Sequence, residues 1–414
     1  MNKFRIGILG MGRGIDLAEN LSLLDDCEIV AFCEQDSARA ERGLKEFGKD
    51  VPVFEDFDTF LEQEPDAVVL ANYFHEHTPY AIKCFEKNIH VLSECISNGT
   101  MAEGVELLRA YEKSNSIYML AENYPQMKFN REMKKICDGG TLGKILFAEG
   151  EYNHPVDASD LSFLKGYVYY DKHWRNYLPR TYYITHSLAP LMWATGATPT
   201  RVSAVPIFSP QPETATTRVV GDSAAIITLT NNDGSVFRVT GCGGFGAHHN
   251  AYRVCGVHGQ FENLRGMGEQ VMLRYNHWMV PEGLKEENLY EPDWDDADES
   301  NIENAGHGGG DYIVARMFRD CIRDGRQPEH PYDIYSAVTM SSVAILGHRS
   351  VLNDGRYYDI PDFHKEEARV QYENDRETPF FGSDGSEPTI PCCSVTDYRP
   401  TDEQMANYKK IIED

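Results

Sequence analysis

Short apolar runs alternate with longer amphipathic stretches over the first third of the chain. Phe4–Leu9, Glu28–Cys33, Ala67–Ala71, Ile89–Leu92 and Ile117–Leu120 are rich in β-branched residues and read as strands. Ser37–Phe47, His77–Lys87 and Met101–Ser114 lie between them and read as helices. Strands apolar on both faces, alternating with helices, predict an α/β domain with a parallel, doubly wound sheet. Ligands of such a sheet bind beyond the carboxyl ends of its strands, so Gly10, Glu34, Asn72 and Glu94 share one rim.

From about Leu142 the pattern changes. Ile145–Tyr152, Arg201–Ile207, Ala224–Thr230, Val236–Gly241 and Tyr252–Gly256 are longer strand candidates interrupted by few helices. They predict an α+β domain built on an open, mostly antiparallel sheet. The stretch from Glu282 to Asn304 is acidic and aperiodic and reads as a surface excursion. Asp311–Asp324 and Asp333–Leu352 read as helices. Beyond Phe363 the tail is polar and proline-bearing, ending on Thr401-Asp402-Glu403-Gln404, a capping box for one last helix. The expected division is 1–123, 124–363 and an extension over 364–414.

Composition narrows the partners. The 414 residues are 41% hydrophobic, enough to fill two cores. Against 39 Lys and Arg stand 65 Asp and Glu, a net charge of −26 that argues against nucleic acid and against anionic membrane surfaces. The N-terminal apolar run is too short for a signal-peptide core or a span. Ten cysteines without a C-x-x-C pair predict free thiols and a cytoplasmic protein. His248-His249 face opposite sides of a strand, and Asp293, Asp295 and Asp296 lie in a solvated run, so no metal is expected.

Gly10-Met11-Gly12-Arg13-Gly14 follows the first strand and opens a helix, where glycines let a pyrophosphate approach the helix N-terminus. The spacing departs from G-x-G-x-x-G, with Ile15 where the third glycine would stand. Glu34, with Gln35 beside it, ends the second strand, and a carboxylate there accepts ribose hydroxyls and repels a 2′-phosphate. NAD is therefore expected rather than NADP. The competing reading makes Glu34 the cap of the next helix, with Asp36 and Ser37 as rivals.

With Ala71-Asn72-Tyr73-Phe74-His75-Glu76-His77 and Glu94 added, the chain resembles the Gfo/Idh/MocA oxidoreductase superfamily from residue 3 to 363. That resemblance implies a Rossmann domain over 1–123 and a second domain holding substrate against the nicotinamide. The superfamily's sugar dehydrogenases carry Glu-Lys-Pro after the fifth strand and an aspartate four residues before an active-site histidine. Here Cys95, Ile96 and Tyr182 replace the lysine, proline and aspartate, leaving Glu94 and His186. His77-Thr78-Pro79, Ala121-Glu122-Asn123, Trp174-Arg175, Tyr183-x-Thr185-His186, Gly306-His307-Gly308-Gly309 with Asp311, and Ile360-Pro361-Asp362-Phe363 resemble the NAD-dependent α-N-acetylgalactosaminidase family more narrowly.

This second resemblance implies glycoside cleavage without net redox change: oxidation at C3, loss of the C2 proton, elimination, addition of water and reduction. It assigns the C3 base to His186 and the C2 base to Tyr183, whose phenolate would need stabilising. His154 and His307 stand as alternatives for leaving-group or water activation. The cofactor contacts are expected from Gly10, Gly12, Arg13, Gly14, Ile15, Glu34, Gln35, Asn72, His77, Glu94, Cys95, Asn123, Trp174 and Arg175. Cys95 is read as a bystander, since a reactive thiol needs a base or positive field. A net sugar dehydrogenase and a non-catalytic NAD-bound sensor are the alternatives. The expected partners are a sugar or glycoside and copies of the same chain, in a dimer or tetramer.

Overall fold

The computed structural model describes residues 3–155, 172–210, 219–294 and 296–413. Six strands, β1 (Phe4–Leu9), β2 (Cys27–Cys33), β3 (Val53–Phe54), β4 (Ala67–Leu70), β5 (His90–Ser93) and β6 (Tyr118–Leu120), form a sheet in the order β3-β2-β1-β4-β5-β6. Every pairing in it is parallel. Helices α1 (Arg13–Ser22), α2 (Ser37–Phe47), α3 (Phe57–Leu61), α4 (His77–Glu86) and α5 (Met101–Tyr111) make the crossovers. β3 and α3 are too short to give a pattern in the sequence, and the reading above omits them.

Backbone hydrogen bonds keep the carboxyl rim in step. Gly10 N–H donates to Cys33 O (2.8 Å), Ala71 N–H to Leu9 O (2.8 Å), Glu94 N–H to Leu70 O (2.9 Å) and Ala121 N–H to Ser93 O (2.7 Å). Residues just past four strand ends are thereby lined up along one edge.

After α6 (Lys128–Asp138), nine strands form the second sheet in the order β14-β13-β12-β11-β7-β10-β9-β8-β15. Its members are β7 (Ile145–Asn153), β8 (Pro199–Ile207), β9 (Ala224–Asn231), β10 (Val236–Gly243), β11 (His249–Gly256), β12 (Gly259–Asn263), β13 (Val271–Tyr275), β14 (Glu287–Tyr290) and β15 (Tyr358–Asp359). Only β7 and β10 run parallel; the other pairings are antiparallel. Part of the stretch expected as a loose excursion is edge strand β14, followed by helix α8 (Glu299–Asn304). Both are short and half exposed, so their side chains alternate too little to be legible.

Helix α7 (Thr185–Thr195) lies on the second sheet, and α9 (Gly310–Asp324) and α10 (Ile334–Leu352) follow it in the chain. α9 sits in the stretch assigned above to the second domain. It packs Tyr312, Ile313, Val314 and Phe318 with Ile8, Ile15 and Leu21 of the first. α11 (Glu366–Arg369) and α12 (Asp402–Glu413) belong to the tail. The expected capping box opens α12: Thr401 N–H donates to Gln404 Oε1 (2.8 Å), and Gln404 N–H donates to Thr401 Oγ1 (3.2 Å). All ten cysteines are free, and among the described residues no helix is long and apolar enough to cross a membrane.

Candidate functional site

The glycine turn divides its work among three positions. A Cβ on Gly10, whose φ is +90°, would lie 2.5 Å from Ala71 O, so the tight turn excludes any side chain. A Cβ on Gly14 would meet Ile8 Cγ2 at 2.8 Å, which is the close packing of α1 on the sheet. Nothing approaches within 4 Å of a Cβ on Gly12, so backbone is left bare where the pyrophosphate of NAD would come in. Gly14 performs the packing task one place earlier than in the full motif. Ile15 is buried among core residues and its N–H donates to Gly12 O at 3.1 Å, so it turns no group toward a ligand.

Glu34 Oε2 accepts from Met11 N–H of that turn (3.0 Å), and Oε1 accepts from Asp36 N–H (3.0 Å). The helix cap is Asp36, which accepts from Arg39 N–H, so the capping reading of Glu34 falls away. Gln35 is exposed beside it. The residues present at the turn and at Glu34 fit NAD.

The Arg13 side chain is engaged with carboxylates. Its Nε donates to Glu94 Oε1 (2.9 Å), Nη1 to Asp311 Oδ2 (2.9 Å) and to Asp16 (3.2 Å), and Nη2 to Asp311 Oδ1. The guanidinium thereby clamps Glu94 to α9. Asp311, 2% exposed, also accepts from Asn123 Nδ2 (2.6 Å) and pairs with His307 Nδ1 (2.9 Å). Burial would raise its carboxyl, but hydrogen bonds from His307 and Arg13 outweigh that and hold it well below the usual range. The same bond to Asp311 raises His307, against its burial.

His77 also turns away from the open side of the rim. It is buried, its Nδ1 contacts Ile96 O (2.7 Å) and Ser93 Oγ (3.3 Å), and burial pushes its ring down to about 4. It joins the loops after β4 and β5. Asn72 donates from Nδ2 to Glu76 O (3.3 Å) within the first of those loops. Trp174 lies on Phe74 of that loop with ring centroids 4.6 Å apart, and the Arg175 guanidinium lies 4.4 Å from the Trp174 ring.

His186 stands at the start of α7. Glycines in the sheet let this segment lie directly on it: a Cβ on Gly150 would be 1.9 Å from Ser187 O, and one on Gly241 2.2 Å from Arg180 O. Tyr252 OH donates to His186 O (2.6 Å), and Ser187 Oγ contacts Thr240 O (2.9 Å). The His186 Nδ1 atom meets Glu122 Oε1 at 2.8 Å and Oε2 at 3.0 Å. Glu122 is 1% exposed, and burial would raise its carboxyl; the charge and hydrogen bond of His186, with Thr185 and Cys95 also donating, hold it below its ordinary value. Cys95 Sγ donates to Glu122 Oε2 (3.2 Å), and burial, then Glu122 and Glu94, push its thiol well up. Cys95 therefore stays a protonated donor.

Three tyrosines surround the imidazole. Tyr124 stacks on it at 4.0 Å, and Tyr152 and Tyr183 stand edge-on at 5.1 and 5.3 Å. His154 lies 5.7 Å from the Tyr152 ring and His307 6.1 Å from the Tyr124 ring, so those two tyrosines connect both histidines to His186, with Tyr183 edge-on to its ring. Tyr182 points the other way, into the core against Phe74 and Phe380. The stabilised phenolate expected of Tyr183 is not what its surroundings give. Burial and then Tyr152 push the hydroxyl well above its usual value, and Arg175 works against them. Burial, then His248 and Arg175, lower His154.

The sequence places Glu122 in a family motif without indicating a role for it, and offers no signal for Tyr124 or Tyr152. A carboxylate immediately past an apolar strand on the carboxyl rim was the available signal for Glu122. Its partner lies 64 residues on, which no local pattern reveals. His248 faces His154 and His249 pairs with Glu151 at 3.0 Å, but His248 lies in the bend before β11 rather than on the strand, so strand alternation does not account for their directions. Asp295 lies outside the described residues, among which no three metal-ligating side chains gather.

Two family models match the chain: "Oxidoreductase family, NAD-binding Rossmann fold" over residues 4–122 and "Glycosyl hydrolase 109, C-terminal domain" over 221–369. Among similar proteins, a glycosyl hydrolase family 109 protein of Shewanella sp. (strain MR-4) is 24% identical, covering 88% of this chain and 86% of its own. One from Saccharopolyspora erythraea is 25% identical over 87% and 83%. Solved structures sharing the fold include levoglucosan dehydrogenase in complex with NADH and L-sorbose, with a TM-score of 0.72 and 17% identity over 87% of this chain and 100% of that one. Myo-inositol 2-dehydrogenase from Lactobacillus plantarum gives 0.65 at 20% identity, over 87% and 100%.

Proposed function

We infer the function from a chain that joins an NAD-binding Rossmann domain of the Gfo/Idh/MocA oxidoreductase family to a glycosyl hydrolase 109 C-terminal domain, an NAD-dependent enzyme. The reaction we propose is redox-neutral cleavage of a glycoside, begun by oxidation of a ring hydroxyl at C3. The observation that carries it is the buried Glu122–His186 pair inside a cage of tyrosines and further histidines, beside Glu94 and the cofactor rim.

Bound NAD⁺ would take the hydride from C3 and return it at the end. His186 removes the hydroxyl proton through Nε2, because Glu122 occupies Nδ1 and stabilises the imidazolium that forms. Tyr183 faces C2. Burial keeps its hydroxyl protonated at rest, so it acts as the base only after that proton has passed to solvent. The positive field of Arg175 lowers the cost of the phenolate, which then accepts the C2 proton and is restored to the phenol. His307, raised by Asp311, suits donation of a proton to the departing aglycone; His154, lowered by burial, suits holding the incoming water. Cys95 supplies a hydrogen bond to Glu122 and no covalent step.

The second reading, a net sugar dehydrogenase, is favoured by the likeness of the fold to levoglucosan dehydrogenase and myo-inositol 2-dehydrogenase. One experiment separates the two: incubate the protein with NAD⁺ and a panel of aryl glycosides in D₂O. Aglycone release with deuterium at C2 and no net NADH supports the glycosidase. Stoichiometric NADH with an intact glycoside would replace it with the dehydrogenase.

A further inference from the structure

The glycosyl hydrolase 109 match ends at residue 369, and the chain beyond it makes contacts that the proposed chemistry does not use. At that point, Arg369 forks onto Glu112 of the nucleotide-binding domain, donating at 3.0 and 2.6 Å. Asp375 accepts two bonds from Arg349 of α10, at 2.6 and 2.5 Å, while its carbonyl accepts from Ala102 N–H in the first turn of α5 at 2.9 Å. Further on, Pro391 O meets His348 Nε2 at 2.6 Å, Cys392 Sγ donates to Val220 O at 2.8 Å, and Tyr398 packs on Phe208 with centroids 5.2 Å apart. The tail thus crosses from the nucleotide-binding domain to the second domain, fixed at both ends.

Between those anchors Phe380 enters the core, 1% exposed. Its ring stands 5.2 Å from Phe74 and 4.7 Å from His75, both in the loop between Asn72 and His77. It also stands 5.2 Å from Tyr182, the neighbour of Tyr183. Phe74 in turn carries Trp174 and so the Arg175 segment. One ring of the tail therefore fills the space behind both walls of the candidate site. Interiors are close-packed and transmit a local void as a shift of the segments around it.

We propose that the tail is a strap across the two domains and that Phe380 is a positioning residue, setting the loop after β4 and the Tyr182-Tyr183 turn against each other. The effect belongs to the nicotinamide half of the cofactor and to the reacting sugar, because the adenosine contacts at Glu34 and the glycine turn lie outside its reach. The turnover part of this inference rests on the proposed function; the cofactor part does not.

The test uses full-length protein with Phe380→Ala, Phe380→Leu and Arg376→Ala, the last removing an exposed pair with Glu106 elsewhere on the strap. ADP-ribose and NADH affinities are measured well below the melting temperature, then kcat and KM on a cleaved glycoside. Phe380→Ala should bind ADP-ribose like the parent, bind NADH about tenfold more weakly, and lose about 10²-fold in kcat with a smaller change in KM, as expected for a small misplacement of reacting groups. Phe380→Leu should fall between, with about a threefold loss of NADH affinity, since it refills part of the space. It carries the comparison if the alanine variant does not fold. Arg376→Ala should match the parent. If the Phe380 variants melt earlier yet keep parental NADH affinity and kcat, the ring is merely structural and the proposal is overturned. If the parent cleaves no glycoside, the function fails, while the contrast between NADH and ADP-ribose still decides the strap.

Discussion

At the scale of single residues, the pairing of Glu122 with His186 carries the sharpest expectation. Glu122→Gln leaves the shape of the site but removes the charge that stabilises imidazolium. Reduction of bound NAD⁺ in a single turnover, followed by stopped-flow absorbance, should slow by about 10²–10⁴. His186→Ala should do the same while still binding NAD. Cys95→Ser keeps a donor to Glu122 and should retain most activity; a loss of about a thousandfold would make the thiol a participant. Arg175→Met should slow C2 deuterium exchange more than cofactor reduction, because its field acts on Tyr183. The pair His307–Asp311 gives a pH dependence. His307 is raised in the folded chain, so its charged form persists above the ordinary histidine value of about 6.5. The stability it contributes is complete below that value and lost as pH rises through the raised one. Activity that needs its proton should fall over the same rise, and Asp311→Asn should move that fall to lower pH in a kcat profile.

At the scale of elements, glycines decide how closely segments approach. Gly150→Ala would drive a methyl into Ser187 O, so α7 must lift from β7. The melting temperature and the rate should drop together, with a stability loss of about 1–3 kcal/mol or more, typical of overpacking. Parental values for both would show that the helix has slack. The capping box at Thr401 is a local matter. Thr401→Ala should cost about 1 kcal/mol of helix stability and leave activity unchanged, which amide exchange over 402–413 would register.

At the scale of the molecule, the site is assembled from both sheets. Glu122 and Cys95 come from the rim of the first, and His186 lies on the second. Cofactor that binds only this assembled form stabilises it by about 2.7 kcal/mol at one hundred times its dissociation constant. A thermal scan should therefore show one transition moved upward by NAD. NADP should move it far less, because the Glu34 carboxylate would face the 2′-phosphate. Equal shifts would remove that role from Glu34.

Sequence alone determined the alternation of strands and helices, the parallel first sheet and the rim on which Gly10, Glu34, Asn72 and Glu94 stand. Each of these rests on local periodicity and on one geometric rule about strand ends. The capping box at Thr401 was legible for the same reason, as a short pattern with a mechanism, whereas His186 was singled out only through its resemblance to a family motif. Only the tertiary structure decided that Arg13 clamps carboxylates, that His77 turns inward, that Tyr183 and not Tyr182 faces the site, and that Glu122 holds His186. Those facts depend on contacts between residues far apart in the chain and on desolvation, which no local pattern encodes. The direction in which a buried carboxyl, thiol or phenol titrates follows from what folding places around it.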